Sequence, residues 1–543
     1  MTKQWLVSLD TDQIKSFVFA TGRLKEIRGA SILLDWLNRE ETLNLAKTSG
    51  GQRIYAGGGS AMFIFTDEGK ANAFCLAVQE RYRKATGAAT ITGAVVGYEK
   101  TQPFSQVVRQ AARQLRRAKA DGRLPVSLLA QPFWQRCQRC GLYPVTVSER
   151  LSDNQTLLLC AVCQTKRDQA KPRQKAAAQP SSGPLARLQQ AAAKTGIAWP
   201  EHLAEAEELG DLGQQSRPAN YLGFIYADGN GIGRIIEHEL KDEAALTEFS
   251  AILETAMLAA VLEATQPHWS QQSGLLPFIP VLIGGDDIIL ITTADTALPI
   301  AHKICLAFQE KVNQQLAGAQ SITKSDDEPL TVAMSAGVVI AKASHPVFAL
   351  ETLAGELLQS AKKLSRTFQQ RGHGQVSTLD FRVITSPTAN SWEKVLEQEF
   401  RLPTPTDAMG HLLTATCRPY PCHRVEGVSR PAWDDLVAAV QRLKQDGFPR
   451  NKLHAWQDML WYDPPIASVL ALNQMRQRLN TKHREAMAYI ADRLFLEKRS
   501  PFSLADELYL LEPFNRQDYL SPLPDMTELY EFIATAATTE DAP

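Results

Sequence analysis

Internal duplication constrains this chain more than any other feature, because two copies of one pattern must build two copies of one unit. The first copy opens with Trp5-Leu6-Val7-Ser8-Leu9, then Asp10-Thr11-Asp12, then Ile14, Phe17 and Val18 at helical spacing. The second opens with Leu222-Gly223-Phe224-Ile225-Tyr226-Ala227, then Asp228-Gly229-Asn230-Gly231-Ile232-Gly233 and a helix beginning near Arg234. Asp10 aligns with Asp228 and Asp12 with Asn230. Further on, Ala56-Gly57-Gly58-Gly59-Ser60-Ala61 aligns with Ile283-Gly284-Gly285-Asp286-Asp287-Ile288, Phe74 to Glu80 with Ile304 to Glu310, Ala94-Val95-Val96 with Gly337-Val338-Val339, and Leu115 to Lys119 with Leu358 to Lys362. The partners lie about 218, 227, 230 and 243 positions apart. That steady rise is what small insertions produce, and it predicts two α+β units.

The copies differ at one hairpin. In the second, the apolar runs Pro280 to Ile283 and Ile288 to Ile291 flank Gly284-Gly285-Asp286-Asp287, which reads as two buried strands joined by a tight turn. Adjacent carboxylates on a rigid turn repel unless a cation holds them, and a hard ion such as Mg²⁺ or Mn²⁺ suits all-oxygen ligands. If the strand ending at Ala227 lies beside this hairpin, Asp228 joins Asp286 and Asp287 as catalytic carboxylates and metal ligands. Gly284 and Gly285 let a bulky anion approach. Gly229, Asn230 and Gly231 open a helix whose amides suit a triphosphate, and Lys362 or Lys363 is placed to neutralise phosphate. The first copy has Gly58, Gly59 and Ser60 where the carboxylates would be, so it could cradle phosphate only without a metal.

Between the copies, Cys137-x-x-Cys140 and Cys160-x-x-Cys163 place four thiolates on two knuckles, the pattern of a closed structural Zn²⁺ site. The other four cysteines read as core residues. Lys166, Arg167, Lys171, Arg173 and Lys175 then suggest a flexible basic linker. Past Ser386, periodic segments such as Trp433 to Lys444 and Lys482 to Phe495 alternate with proline-rich joints and predict an all-α region. The expected divisions are 1–122 (first unit), 123–190 (ribbon and linker), 191–385 (second unit) and 386–543 (helical). A formal net charge of −1 over 543 residues gives no global pull toward polyanions. No apolar run approaches the about 18 residues of a membrane span, so a cytoplasmic protein without a membrane partner is expected.

In combination, Leu9-Asp10-Thr11-Asp12, Glu26-Ile27-Arg28-Gly29-Ala30-Ser31, the four-cysteine ribbon, Asp228-Gly229-Asn230, Gly284-Gly285-Asp286-Asp287 and Ser377-Thr378-Leu379-Asp380-Phe381 resemble the large polymerase-like subunit of type III CRISPR effector complexes. The tetrapeptide alone is also similar to that of diguanylate cyclases and other palm polymerases. The resemblance implies two ferredoxin-like palm domains, ATP bound at their interface, and metal-dependent synthesis of cyclic oligoadenylate. It implies other effector-complex subunits and guide or target RNA as partners. Asp228, Asp286 and Asp287 would be the ligands of Mg²⁺ or Mn²⁺, with Lys362 or Lys363 near phosphate. Many members begin with a histidine-aspartate nuclease, whereas none of the ten histidines here precedes an aspartate, so DNA cleavage is not expected of this chain. The competing readings are a catalytically silent scaffold on a guide-RNA complex and a GTP-using dinucleotide cyclase.

Overall fold

Strand β1 (Lys3–Asp12) lies inside an antiparallel sheet with β2 (Gln52–Gly57), β3 (Ser60–Phe65) and β4 (Thr90–Glu99), in the order β2-β3-β1-β4. Helices Glu68–Thr86 and Phe104–Ala120 precede and follow β4. Beyond the ribbon strands β5 (Val147–Arg150) and β6 (Thr156–Leu159), the plan returns in β7 (Tyr221–Gly229), β8 (Phe278–Ile283), β9 (Asp287–Thr293) and β10 (Met334–Lys342), ordered β8-β9-β7-β10. Both halves are ferredoxin-like βαββαβ units. Their registers match pair for pair: Asp10 faces Ser60 as Asp228 faces Asp287, and Val7 faces Val95 as Ile225 faces Val338. The separations read from the sequence are thus matched cross-strand partners. The computed structural model describes residues 3–121, 133–150, 155–170, 183–269, 274–319, 322, 330–385, 391–402, 411–462, 465–495, 508–514 and 518–535.

Helix Leu24–Trp36 is the joint of the molecule, and its side chains leave it in three directions. Buried Glu26 accepts a bond from Arg167 (3.1 Å) on the ribbon's helix, Arg28 donates to Ala206 O (2.7 Å), and Ser31 donates to Val281 O on β8. Gly29 has no room for a side chain, since a Cβ there would stand 1.7 Å from Lys166 O. Lys166 and Arg167 therefore belong to a packed helix, Ala161–Gln169, and not to a solvated linker. Burial of their stems and pairing of their charges overrode the composition signal. Lys171, Arg173 and Lys175 lie outside the described residues.

One helix departs from the expectation about apolar length. Glu243–Thr265, continued to His268, has a window of mean hydropathy 1.6 and is long and apolar enough to cross a membrane. It is apolar on most sides because it is packed on most sides, against helix Ala294–Gly318, helix Pro184–Thr195 and strands of both halves.

The C-terminal region is largely helical, including Trp433–Gln445 and Thr481–Leu494 as the periodicity predicts. It also holds short strands. With β11 (Thr378–Val383) parallel to β10, β12 (Leu412–Thr414) pairs with β15 (Asp518–Leu520), β15 pairs with β14 (Leu510–Leu511), and β13 (Tyr420–Pro421) extends the second palm's sheet through β11. Two- and three-residue strands are too short to show alternation, which is why only the helices were legible. Fully buried Arg418 fastens this region: it pairs with Asp525 (3.0 Å) and Glu528 (3.1 Å), and its guanidinium lies 4.7 Å from the ring centres of Phe381 and Phe400.

On β10, Gly337 lies flush against helix Val347–Gln370, where a Cβ would stand 2.2 Å from Ala354 O. Gly337→Ala should push that helix outward and cost about 1–3 kcal/mol. The expected result is a lower urea midpoint with an unchanged slope.

Candidate active site

The turn between β8 and β9 is closed by Gly284 N donating to Asp287 O (2.7 Å), and the Asp287 carboxylate folds back over Gly284, where a Cβ would stand 1.8 Å from Oδ1. Only glycine fits beneath it. Register places Asp228 directly across from Asp287, and Gly229 N donates to Asp286 O (2.9 Å), which ties the two aspartate-bearing segments together. Lys362, from helix Val347–Gln370, completes the group with Nζ 2.7 Å from Asp228 Oδ2 and 3.1 Å from Gly229 O. Lys363 is exposed and lies about 100° further round the helix, so the choice between the two lysines falls to Lys362.

Electrostatics at the hairpin reflect burial first and crowded negative charge second. Burial pushes the Asp286 carboxyl up to about 7, with Asp228 adding to the shift and Lys362 opposing it. Asp287 also sits well above the usual carboxylate range, through burial and then through Asp286 and Asp228, while Lys15 of the first palm acts against the shift. A divalent cation would relieve this repulsion, and an all-carboxylate donor set fits a hard ion.

The first half carries the same skeleton without the two acids of the hairpin. Lys119 holds Asp10 (2.7 Å) and Asp12 (3.1 Å) where Lys362 holds Asp228. Asp12 is clamped by Thr92 (2.8 Å), and its counterpart Asn230 by Ser335 (2.9 Å). Asn230 also donates to Ser365 (2.9 Å), so this buried side chain fastens the strand end to its neighbours and its amide is not directed at a nucleotide. Gly231, at φ 74°, does open helix Ile232–His238.

The two hairpins meet. A Cβ on Gly58 would stand 3.3 Å from Gly284 Cα and 3.4 Å from Gly285 N, so the pseudo-symmetric turns touch backbone to backbone. Beside this contact a cavity of about 350 Å³ opens between the halves, lined by Arg39, Arg53, Tyr55, Gly58 and Ser60 on one side and Ser250, Glu254, Gly285 and Asp286 on the other. Gly59 is not part of that lining. It packs on Ile14, whose Cδ1 would be 2.3 Å from a Cβ, because its φ of 87° turns it into its own palm. Behind the Gly-Gly-Asp-Asp turn, Arg187 donates to Ile283 O (2.6 Å) and pairs with Glu254 (3.1 Å), which also binds Arg39. Sequence reasoning found none of Arg39, Arg53, Tyr55, Arg187 or Glu254. They come from four separate places in the chain and form no motif.

Cys137, Cys140, Cys160 and Cys163 bring their sulfurs within 4.8 Å of one another, the only such group of metal-ligating atoms among the described residues. Cys140 and Cys160 Sγ are 3.8 Å apart, which is the edge of a tetrahedron with Zn–S bonds of about 2.3 Å. The Leu142 amide donates to Cys140 Sγ (3.5 Å) and the Cys163 amide to Cys160 Sγ (3.4 Å), which stabilises thiolate charge. The cluster suits zinc in a structural role, with no open ligand position.

Compared with known proteins, residues 221–368 match the family model described as Cas10/Cmr2, second palm domain. No curated protein matches the chain. Among solved structures, a Csm1–Csm4 cassette in complex with cA4 is 13% identical with a TM-score of 0.44, covering 71% of this chain and 55% of that one. Csm1 of T. onnurineus is 14% identical with a TM-score of 0.49, covering 98% and 70%. The chain thus spans about half the length of the first of these structures.

Cys160→Ser should abolish binding of about one zinc per chain, measured by elemental analysis, and lower the melting temperature. A second outcome follows from Asp286. A carboxyl whose pKa is raised by folding contributes stability that is present below its ordinary range, near about pH 4, and is lost as pH rises through about 7. In buffer free of divalent cations, Asp286→Asn should melt higher than wild type at about pH 8 and level with it at about pH 4. An equal gain at both values would show that the carboxylate is not desolvated.

Proposed function

On a chain in which residues 221–368 form a Cas10-like second palm domain, we propose a metal-dependent nucleotidyltransferase that converts ATP into cyclic oligoadenylate. The observation that carries the reading is the contact of Gly58 on Gly284 and Gly285, beside which a cavity made by both halves is lined by Asp286, the neighbour of Asp287 and, through the Gly229 amide, of Asp228. Asp228, Asp286 and Asp287 would hold Mg²⁺ or Mn²⁺, which when bound supplies activation of a ribose hydroxyl and neutralisation of the departing pyrophosphate. Lys362 carries a fixed positive charge beside Asp228, suited to a phosphate oxygen near that carboxylate. The turn glycines present backbone without side chains, so a triphosphate can approach closely. Arg39 and Arg53 add positive charge to the cavity, whereas the first palm, with Ser60 in place of the second aspartate, is suited to hold a nucleotide without performing the transfer. Type III effector subunits and guide or target RNA are the partners this reading calls for, in the cytoplasm.

The test is incubation of the purified protein with Mg²⁺ or Mn²⁺ and each nucleoside triphosphate, with products identified by mass spectrometry. Cyclic adenylate should form, and Asp286→Ala/Asp287→Ala should reduce it by at least about 100-fold, the scale lost when transition-state charge stabilisation is removed. A guanylate product would move the reading to a GTP cyclase. No product from any nucleotide, even with RNA and effector subunits added, would favour a scaffold.

A further inference from the structure

A cation from the first palm reaches the aspartate site of the second. Lys15, in the short helix Ile14–Val18, places Nζ 3.2 Å from Glu351 Oε1 and 4.0 Å from the ring centre of Tyr226. Tyr226 lies two residues before Asp228 on β7, so its side chain leaves the same face of the sheet. Glu351 and Lys362 stand about three turns apart on one face of helix Val347–Gln370. Lys15 therefore occupies the same surface as Asp228, Asp287 and Lys362, and its charge is felt at Asp287.

The duplication supplies an internal control. Applying the same alignment, the positions equivalent to Lys15, Glu351 and Tyr226 in the opposite half are Gly233, Val108 and Ser8, which offer no cation, no acid and no ring. The mirror contact, helix Phe104–Ala120 on helix Ile232–His238, uses other residues, Arg116 to Glu237 (3.1 Å) and Arg109 to His238 (3.1 Å), and there too the arginines belong to the first half, as Lys15 does. Gln13, just before the helix, has a φ of 47°, a left-handed conformation that costs a non-glycine residue about 1 kcal/mol or more and persists where the surroundings impose it. A mere tether has little to gain here. The Lys15 side chain keeps 38% of its exposure, ion pairs that open to solvent contribute little, and the palms are already joined by Ser31 to Val281, Arg39 to Glu254 and Phe19 against Phe224.

We propose that Lys15 is a ligand for the β- and γ-phosphates of a nucleoside triphosphate bound over the second palm, so that this site is complete only when the first palm is docked on it. Glu351 holds the ammonium when no nucleotide is present and yields it to the more highly charged phosphate. This inference rests on the nucleotidyltransferase reading.

The experiment is calorimetric titration of the full chain with adenosine 5′-(α,β-methylene)triphosphate, whose α–β link the transfer cannot break, in Mg²⁺, and separately with AMP. Lys15→Met and Glu351→Gln both break the ion pair, but they should act differently. Lys15→Met should weaken the triphosphate about tenfold or more and leave AMP unchanged, the scale of a charge-assisted hydrogen bond. Lys15→Arg should restore most of that loss, and Glu351→Gln should bind the triphosphate as well as wild type or better. Unchanged binding in Lys15→Met, or equal losses in Lys15→Met and Glu351→Gln, would overturn the proposal and leave the nucleotidyltransferase reading standing. No triphosphate binding by the wild-type protein would overturn both.

Discussion

The contact of Gly58 with Gly284 and Gly285 brings the tips of the two half-sites together, main chain against main chain. A single Cβ at Gly58 would come within 3.3 Å of the opposing main chain, tighter than such contacts normally allow. Because each turn sits at the tip of a strand pair whose register is set by a buried sheet, the contact also sets where the aspartates stand. Asp228 is held opposite Asp287 by the ladder, and Asp286 is held by the Gly229 amide. The cavity between the halves is the space left beside that contact.

Holding two half-sites in this pose takes polar connections that pair most of the buried charge. Glu26 and Gly29 meet the ribbon's helix, Arg28 the segment before β7 and Ser31 strand β8, so one helix fixes the ribbon, that segment and the strand leading into the aspartate turn. Arg187 reaches the last carbonyl before the turn from behind. Such charged and polar links are costly to bury unless each is paired, and most of them are paired here. Zinc, by closing four thiolates, would stabilise the ribbon against which that helix packs.

Pseudo-symmetry and chemistry part company at the tips of the strands. The Lys119 and Lys362 pairs show that both halves keep a cation beside the first aspartate, and the Asp12 and Asn230 clamps show that both keep the strand end anchored. What differs is charge: Gly59 and Ser60 against Asp286 and Asp287, and Lys15 against Gly233. Scaffold positions, whose role is packing, stay alike, while the two acids of the hairpin turn are confined to the second half.

By itself the sequence determined the two units, the order of their strands, the aspartate turn and the four-cysteine ribbon, because each is a local pattern of period, turn chemistry or spacing. The offset between Asp10 and Asp228, read along the chain, is the same offset seen in the ladders. Tertiary structure alone decided which lysine serves the site, that Asn230 is a clamp, that Gly59 turns inward, that Lys166 and Arg167 are buried, and that Lys15, Arg39, Arg53, Tyr55 and Glu254 face the second palm or the cavity. These are matters of direction and of contact between residues far apart in the chain. Adjacent helical positions point about 100° apart, and a contact between two folded halves leaves no periodic trace in either one.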